Sequence, residues 1–118
     1  MKKIEELKEI LKKAKQIKKG VITERNKCDM LVYTPQNEED LRIVKAFIEF
    51  KLNLIDEIIL LAATGIQNFR YESEIGDYLQ SVKKLQTNYN KTAKDGLHAQ
   101  SLASIYQEMH FHDWWLIW

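Results

Sequence analysis

Lys8, Lys12, Lys15 and Lys19 recur at spacings of four, three and four, which on a helix would line four ammonium groups along one flank. A phosphate backbone or another polyanion could lie along such a row. The ordinary reading competes with it. Glu5 sits three residues before Lys8, and Glu9 sits three and four before Lys12 and Lys13, the spacing of surface ion pairs on a solvated helix face. No aromatic residues for base stacking interleave with these lysines, and no helix-turn-helix or RNA-binding signature accompanies them.

Lys51 is placed differently. A helical wheel sets it among Phe47, Leu54, Ile55 and Ile58, where a charge taken out of water without a partner would cost several kcal/mol. Its four-carbon stem can pack on a core while the head reaches a rim or meets a carboxylate. Otherwise it is a buried cation that anchors an anionic ligand or a partner's acidic group. Under the first reading Lys51→Met changes stability by no more than about 1 kcal/mol.

His110, His112 and Asp113, with His98 earlier, group the metal-ligand types. His-x-His suits one strand face or a loop, whereas on a helix the two rings diverge by about 200°. No His-Glu-x-x-His pattern is present, so an accidental grouping outranks a metal site, and no cofactor is expected. Cys28 lies in a polar stretch with no histidine nearby in sequence. The glycines at 20, 65, 76 and 96 are isolated and cannot form a phosphate loop. Asp56 with Glu57, and Glu72 with Glu74, diverge on a helix or fall in a turn. These features count against an enzyme.

The end of the sequence, Trp114-Trp115-Leu116-Ile117-Trp118, carries the most weight. Each indole offers roughly 200 Å² of mostly apolar surface that must be covered. Either this segment folds back over the body of the protein, or it seals a self-association surface or grips another protein, since tryptophan is a favoured interface anchor. Insertion into a membrane surface ranks below both, because no lysines flank the segment.

The elements that must position these residues follow from periodicity. Ile4, Leu7, Ile10, Leu11, Ala14 and Ile17 form a stripe of roughly 140° on a first helix, which Gly20 should end. Residues 21–33, with β-branched Val21, Ile22 and Thr23 and the later run Met30 to Tyr33, read as a short β-hairpin lying on the helices or pairing with a second copy. Thr34 and Pro35 start the central helix, about 30 residues long and able to run through Gly65. Its apolar arc, from Leu41 to Leu61, spans roughly 200° and needs more than one neighbour. A third helix carries Ile75, Leu79, Val82 and Leu85 and ends near Asp95-Gly96. A fourth, of about three turns, carries Ala99, Leu102, Ile105, Tyr106 and Met109.

The expected architecture is therefore all-α: a small bundle of three or four helices around a long central one, in one domain over residues 1–118. Hydrophobic residues at 45% and charged ones at 30% suit a folded chain. The lone cysteine suits a reducing, cytoplasmic setting, and the N-terminus reads as a helix of the mature protein, not a signal peptide. No stretch is free enough of charge to span a bilayer. Residues 1–20 hold eight lysines against three glutamates, and residues 37–77 hold nine acids against four bases, so a basic helix could dock on an acidic one within the chain or between copies.

The function expected from the sequence is a non-enzymatic protein-interaction or regulatory, inhibitor-like module that associates with itself or another protein through Trp114, Trp115, Trp118 and Lys51. One alternative is a nucleic-acid or polyanion binder using Lys8, Lys12, Lys15 and Lys19. Another is a small-ligand binder or metal-dependent hydrolase using Lys51 or His110, His112 and Asp113.

Overall fold

A computed structural model of the protein describes residues 2–98, 102–109 and 118, and the backbone alone for Leu97 and His98. Four helices follow one another: α1 (Lys2–Asp29), α2 (Glu38–Asn68), α3 (Glu72–His98) and α4 (Ala103–Glu108). The first three owe their pairing to a heptad pattern. Buried positions run Leu7, Ile10, Ala14, Ile17, Val21, Glu24 and Cys28 on α1, and Leu41, Val44, Ile48, Lys51, Ile55, Ile58, Ala62 and Gly65 on α2, where Leu52 is buried beside them. On both, steps of three and four alternate, the seam geometry of left-handed bundles. On α3 the same alternation joins Ile75, Leu79 and Val82 to Tyr89, Ala93 and Gly96.

Helix α2 is the axis, and its wide apolar arc is shared between α1 on one side and α3 on the other; α1 and α3 touch each other far less. Both neighbours run antiparallel to α2. Lys18 and Asp56, and Asp29 and Lys45, pair across α1 and α2, while Tyr78 packs at Gly65 and Phe47 at Gly96 across α2 and α3. The result is a slender bundle of 56 × 20 × 17 Å. Among the described residues no helix is long and apolar enough to cross a membrane.

The expected hairpin is absent. Residues 21–29 are helical, 30–37 form turns and irregular backbone, and there is no strand among the described residues. Gly20 does not end α1 because Val21, Glu24 and Cys28 continue its heptad phase onto α2, and that burial outweighs the roughly 1 kcal/mol that an interior glycine costs a helix. The β-branched run Val21 to Thr23 is overridden by packing in the same way.

Helix α2 starts at Glu38, three residues after Pro35. The intervening turn is closed reciprocally: the Thr34 N–H donates to Asn37 Oδ1 (2.8 Å), and the Asn37 N–H donates to Thr34 Oγ1 (3.3 Å). Glu74 caps α3 from within, its carboxylate accepting the Arg70 N–H at 2.7 Å. α3 runs two residues beyond the expected Asp95-Gly96 stop, and α4 is six residues long, shorter than the sequence suggests.

Candidate functional site

Two charges occupy core positions of the heptad pattern. Glu24 is 1% exposed and Lys51 5% exposed, and they face each other across the α1–α2 seam with Lys51 Nζ 2.5 Å from Glu24 Oε1. The other carboxylate oxygen, Oε2, accepts a hydrogen bond from the Tyr106 hydroxyl of α4 at 2.8 Å. One buried carboxylate therefore ties three helices together, and each of its oxygens has a donor, as a buried charge requires. Of the two readings of Lys51, the structure has the one in which the stem packs in the core and the head meets a carboxylate, that of Glu24 in the same chain.

The surroundings suit this pair and little else. Burial pushes the Tyr89 and Tyr106 phenols well above the ordinary tyrosine pKa, and the nearby Glu24 charge adds to the effect. Both phenols stay neutral, and Tyr106 is the one that donates to Glu24. Cys28, one turn past Glu24, is buried in α1 and not in the polar turn expected of it. Burial raises its thiol pKa, partly offset by Lys45, which makes it a poor nucleophile. A crevice of about 200 Å³ beside the pair is lined by Arg25, Asp29, Lys45, Ile48 and Glu49, so its charges are balanced and Lys51 is not among its walls. Among the described residues no group of three His, Cys, Asp or Glu could hold a metal. His110, His112 and Asp113 lie outside the described residues.

The pair also defines register. If α1 slid by one heptad along α2, Glu24 would oppose Val44 or Ile58 in place of Lys51, burying two unpartnered charges. Polar residues at core heptad positions are known to select alignment in this way.

The lysine row stands apart from this centre. Lys8, Lys12, Lys15 and Lys19 are all exposed, and among the described residues none of them has a carboxylate within 4.0 Å. The expected pairs of Glu5 with Lys8 and of Glu9 with Lys12 or Lys13 are not made. Glu6 reaches Lys83 of α3 instead (3.0 Å), and of the eight lysines in residues 1–20 Lys18 alone engages the acidic segment, through Asp56 at 2.6 Å.

Of the tryptophan group, Trp118 is described and folds back on the bundle. Its N–H donates to Asn90 Oδ1 at 2.9 Å, Asn90 Nδ2 donates to its carbonyl at 3.5 Å, and Lys13 Nζ lies 5.6 Å from its ring centre. Its buried Nε1 has no partner among the described residues. Trp114 and Trp115 lie outside the described residues.

Among the described residues, large apolar side chains are exposed at Met30, Val32, Tyr33 and Tyr71 in the helix connections and along one edge of α2. Ile43, Phe47, Phe50 and Leu54 step by four, three and four along one stripe. Phe47 and Leu54 are half-buried against the core, but Phe50 is 63% and Ile43 36% exposed. Ala46 and Asn53, beside them on the outer arc, are uncharged. Leu60, further along the outer face, is 66% exposed.

Compared with models of known protein families, with curated proteins and with solved structures, the chain matches none of them.

Proposed function

We propose that the protein is a non-enzymatic interaction or regulatory module of the cytoplasm that associates with a second copy of itself through the outer face of α2. The observation that carries this reading is the exposed Ile43–Phe50 stripe. Burying one large apolar side chain is worth about 1.5–3 kcal/mol, and Phe50 leaves most of that ungained in the single chain. Three further features support it. The chemistry-bearing side chains at the core, Glu24, Lys51 and Tyr106, are engaged with one another. The stripe is flanked by Ala46 and Asn53, so two copies related by a two-fold axis could approach with no like charges opposed along it. The bundle that carries the stripe is 56 Å long and 20 Å wide, so a side-by-side contact has room for the roughly 800 Å² per partner that a stable interface covers.

Light scattering after size exclusion tests this directly. The native protein is expected at twice its chain mass and Phe50→Glu at one chain mass, with the helical signal of both unchanged. A native protein that stays monomeric at high concentration would refute self-association.

A second reading is favoured by Lys8, Lys12, Lys15 and Lys19, which have no carboxylate partner among the described residues: a polyanion or nucleic-acid binder whose affinity falls steeply with salt. Four phosphate contacts would give a slope of about −3.6 in log affinity against log salt for duplex DNA. Undetectable binding to DNA and RNA in low salt would remove it.

A further inference from the structure

Charged residues meet across the α1–α2 seam as the rungs of a ladder. Lys18 pairs with Asp56 at 2.6 Å, and Asp29 with Lys45 at 3.7 Å. The two helices run antiparallel, so Arg25, one heptad on from Lys18, comes opposite Glu49, one heptad back from Asp56. Asp29 and Lys45 fix the same register, since Arg25 lies four residues before the one and Glu49 four residues after the other. Despite opposite charge, this middle rung is open. Neither Arg25 nor Glu49 has an ion pair or hydrogen bond among the described residues.

The crevice of about 200 Å³ lies at this rung. Arg25 and Glu49 line it from opposite helices, and Ile48, 1% exposed, gives it an apolar side. The remaining two walls are already engaged: Asp29 faces Lys45, whose ammonium also sits 4.7 Å from the centre of the Tyr33 ring. One guanidinium and one carboxylate are therefore left unpaired on facing walls. A simple anion would meet Glu49 and Asp29, and a simple cation would meet Arg25 and Lys45, so complementarity favours a ligand that carries both charges. The volume is below the roughly 300–1,000 Å³ of sites for drug-sized molecules, which limits that ligand to a small one.

We infer that the crevice binds a small zwitterion of the amino-acid class, with its carboxylate on Arg25, its ammonium on Glu49 and a short side chain against Ile48. A guanidinium presents parallel N–H donors that match a carboxylate in a bidentate pair. The ligand thus supplies both partners missing from the open rung. The site goes beyond the self-association reading and does not depend on it: the crevice is on the flank of α2 that faces α1, whereas the Ile43–Phe50 stripe is on the side of α3, where Phe47 packs at Gly96.

Titrating the full-length protein with glycine, L-alanine and L-serine, followed by amide NMR, tests the inference. At least one should shift the signals of Arg25, Asp29, Lys45, Ile48 and Glu49, leave α3 unmoved and saturate by about 10 mM. The N-acetyl form of that amino acid, which lacks the ammonium, and its amide, which lacks the carboxylate, should each bind at least about tenfold more weakly, the loss expected for a hydrogen bond between charged groups. Arg25→Gln and Glu49→Gln should weaken binding by the same factor. Lys18→Gln, which breaks the closed rung one heptad away, should leave it unchanged. If Arg25→Gln loses helical signal, Arg25→Lys replaces it, keeping the charge but not the fork, and should weaken binding too. No shift with any of the three at about 10 mM would overturn the inference. So would equal binding of acetate or of the N-acetyl form, an equal loss in Lys18→Gln, or a double-mutant cycle of the free protein in which Arg25 and Glu49 couple as strongly as Lys18 and Asp56, the mark of a closed rung.

Discussion

Replacing Lys51 with methionine tests the reading of the core most sharply. The substitution keeps the stem that packs on Ile48 and Ile55 but removes the ammonium 2.5 Å from Glu24. Glu24 is 1% exposed, so its carboxylate would keep the Tyr106 hydroxyl and lose its countercharge with no water to replace it. Removing one member of a buried ion pair costs about 3–5 kcal/mol, a large share of the roughly 5–15 kcal/mol that holds a domain of this size folded. The expectation from the sequence of no more than about 1 kcal/mol holds for a head at the rim or on an exposed carboxylate; because the pair is buried, the larger figure replaces it, and the two are well separated.

The double variant Glu24→Leu with Lys51→Met should recover most of that loss. It leaves no buried charge behind, and its remaining penalty is the lost Tyr106–Glu24 hydrogen bond, about 1–3 kcal/mol. Adding Tyr106→Phe should remove that too. Urea unfolding followed by far-ultraviolet circular dichroism measures all of these, with an unchanged denaturant slope marking a change in stability alone, and the cycle gives the coupling energy. If Lys51→Met costs less than about 1 kcal/mol, or if the double variant is no better than the single, the account of Glu24 and Lys51 as a desolvated pair is wrong.

The two glycines on the α2–α3 seam should respond with opposite sign. A Cβ at Gly65 would meet Tyr78 Cγ at 2.9 Å, so Gly65→Ala should destabilise by about 1–3 kcal/mol despite better helix propensity. A Cβ at Gly96 would meet Phe47 at 3.6 Å, an ordinary contact, so Gly96→Ala should stabilise by about 0.5–1 kcal/mol; thermal melts of both decide it. Stability should also fall at alkaline pH. Tyr89, Tyr106 and Cys28 all have raised folded pKa values, so their contribution is whole below the unfolded values of about 8.5 for cysteine and 10 for tyrosine and is lost as pH rises beyond them. Tyr106→Phe should make the decline above pH about 10 shallower, and an identical decline in both proteins would contradict the assignment.

Much of the fold is legible in the sequence because a heptad stripe is a one-dimensional signal: Leu7 to Ile17, Leu41 to Leu61 and Ile75 to Leu85 each announce a helix and its buried face. The same signal, followed through Val21, Glu24 and Cys28, would have continued α1 to Asp29. It was masked because Glu24 is charged and because Val21, Ile22 and Thr23 favour strands. Lys51 was legible as an oddity inside an apolar face. Its partner was not, since Glu24 lies 27 residues away in sequence and its residue type alone does not set it apart from the exposed Glu5, Glu6 and Glu9 of the same helix. Tyr106 was visible as a core residue of the last helix, but its role as a donor to Glu24 required knowing where that helix lands.

By itself, the sequence determined the helical class, the central place of the long helix, and the apolar setting of Lys51 within it, because periodicity and the cost of desolvating a charge act locally along the chain. Only the tertiary structure decided that Glu24 neutralises that lysine, that Tyr106 closes the network, that Phe50 is left outside it, and that the lysine row finds no carboxylate among the described residues. Each of these depends on which faces meet across helices far apart in sequence, and the packing of α1 and α3 on opposite sides of α2 sets that.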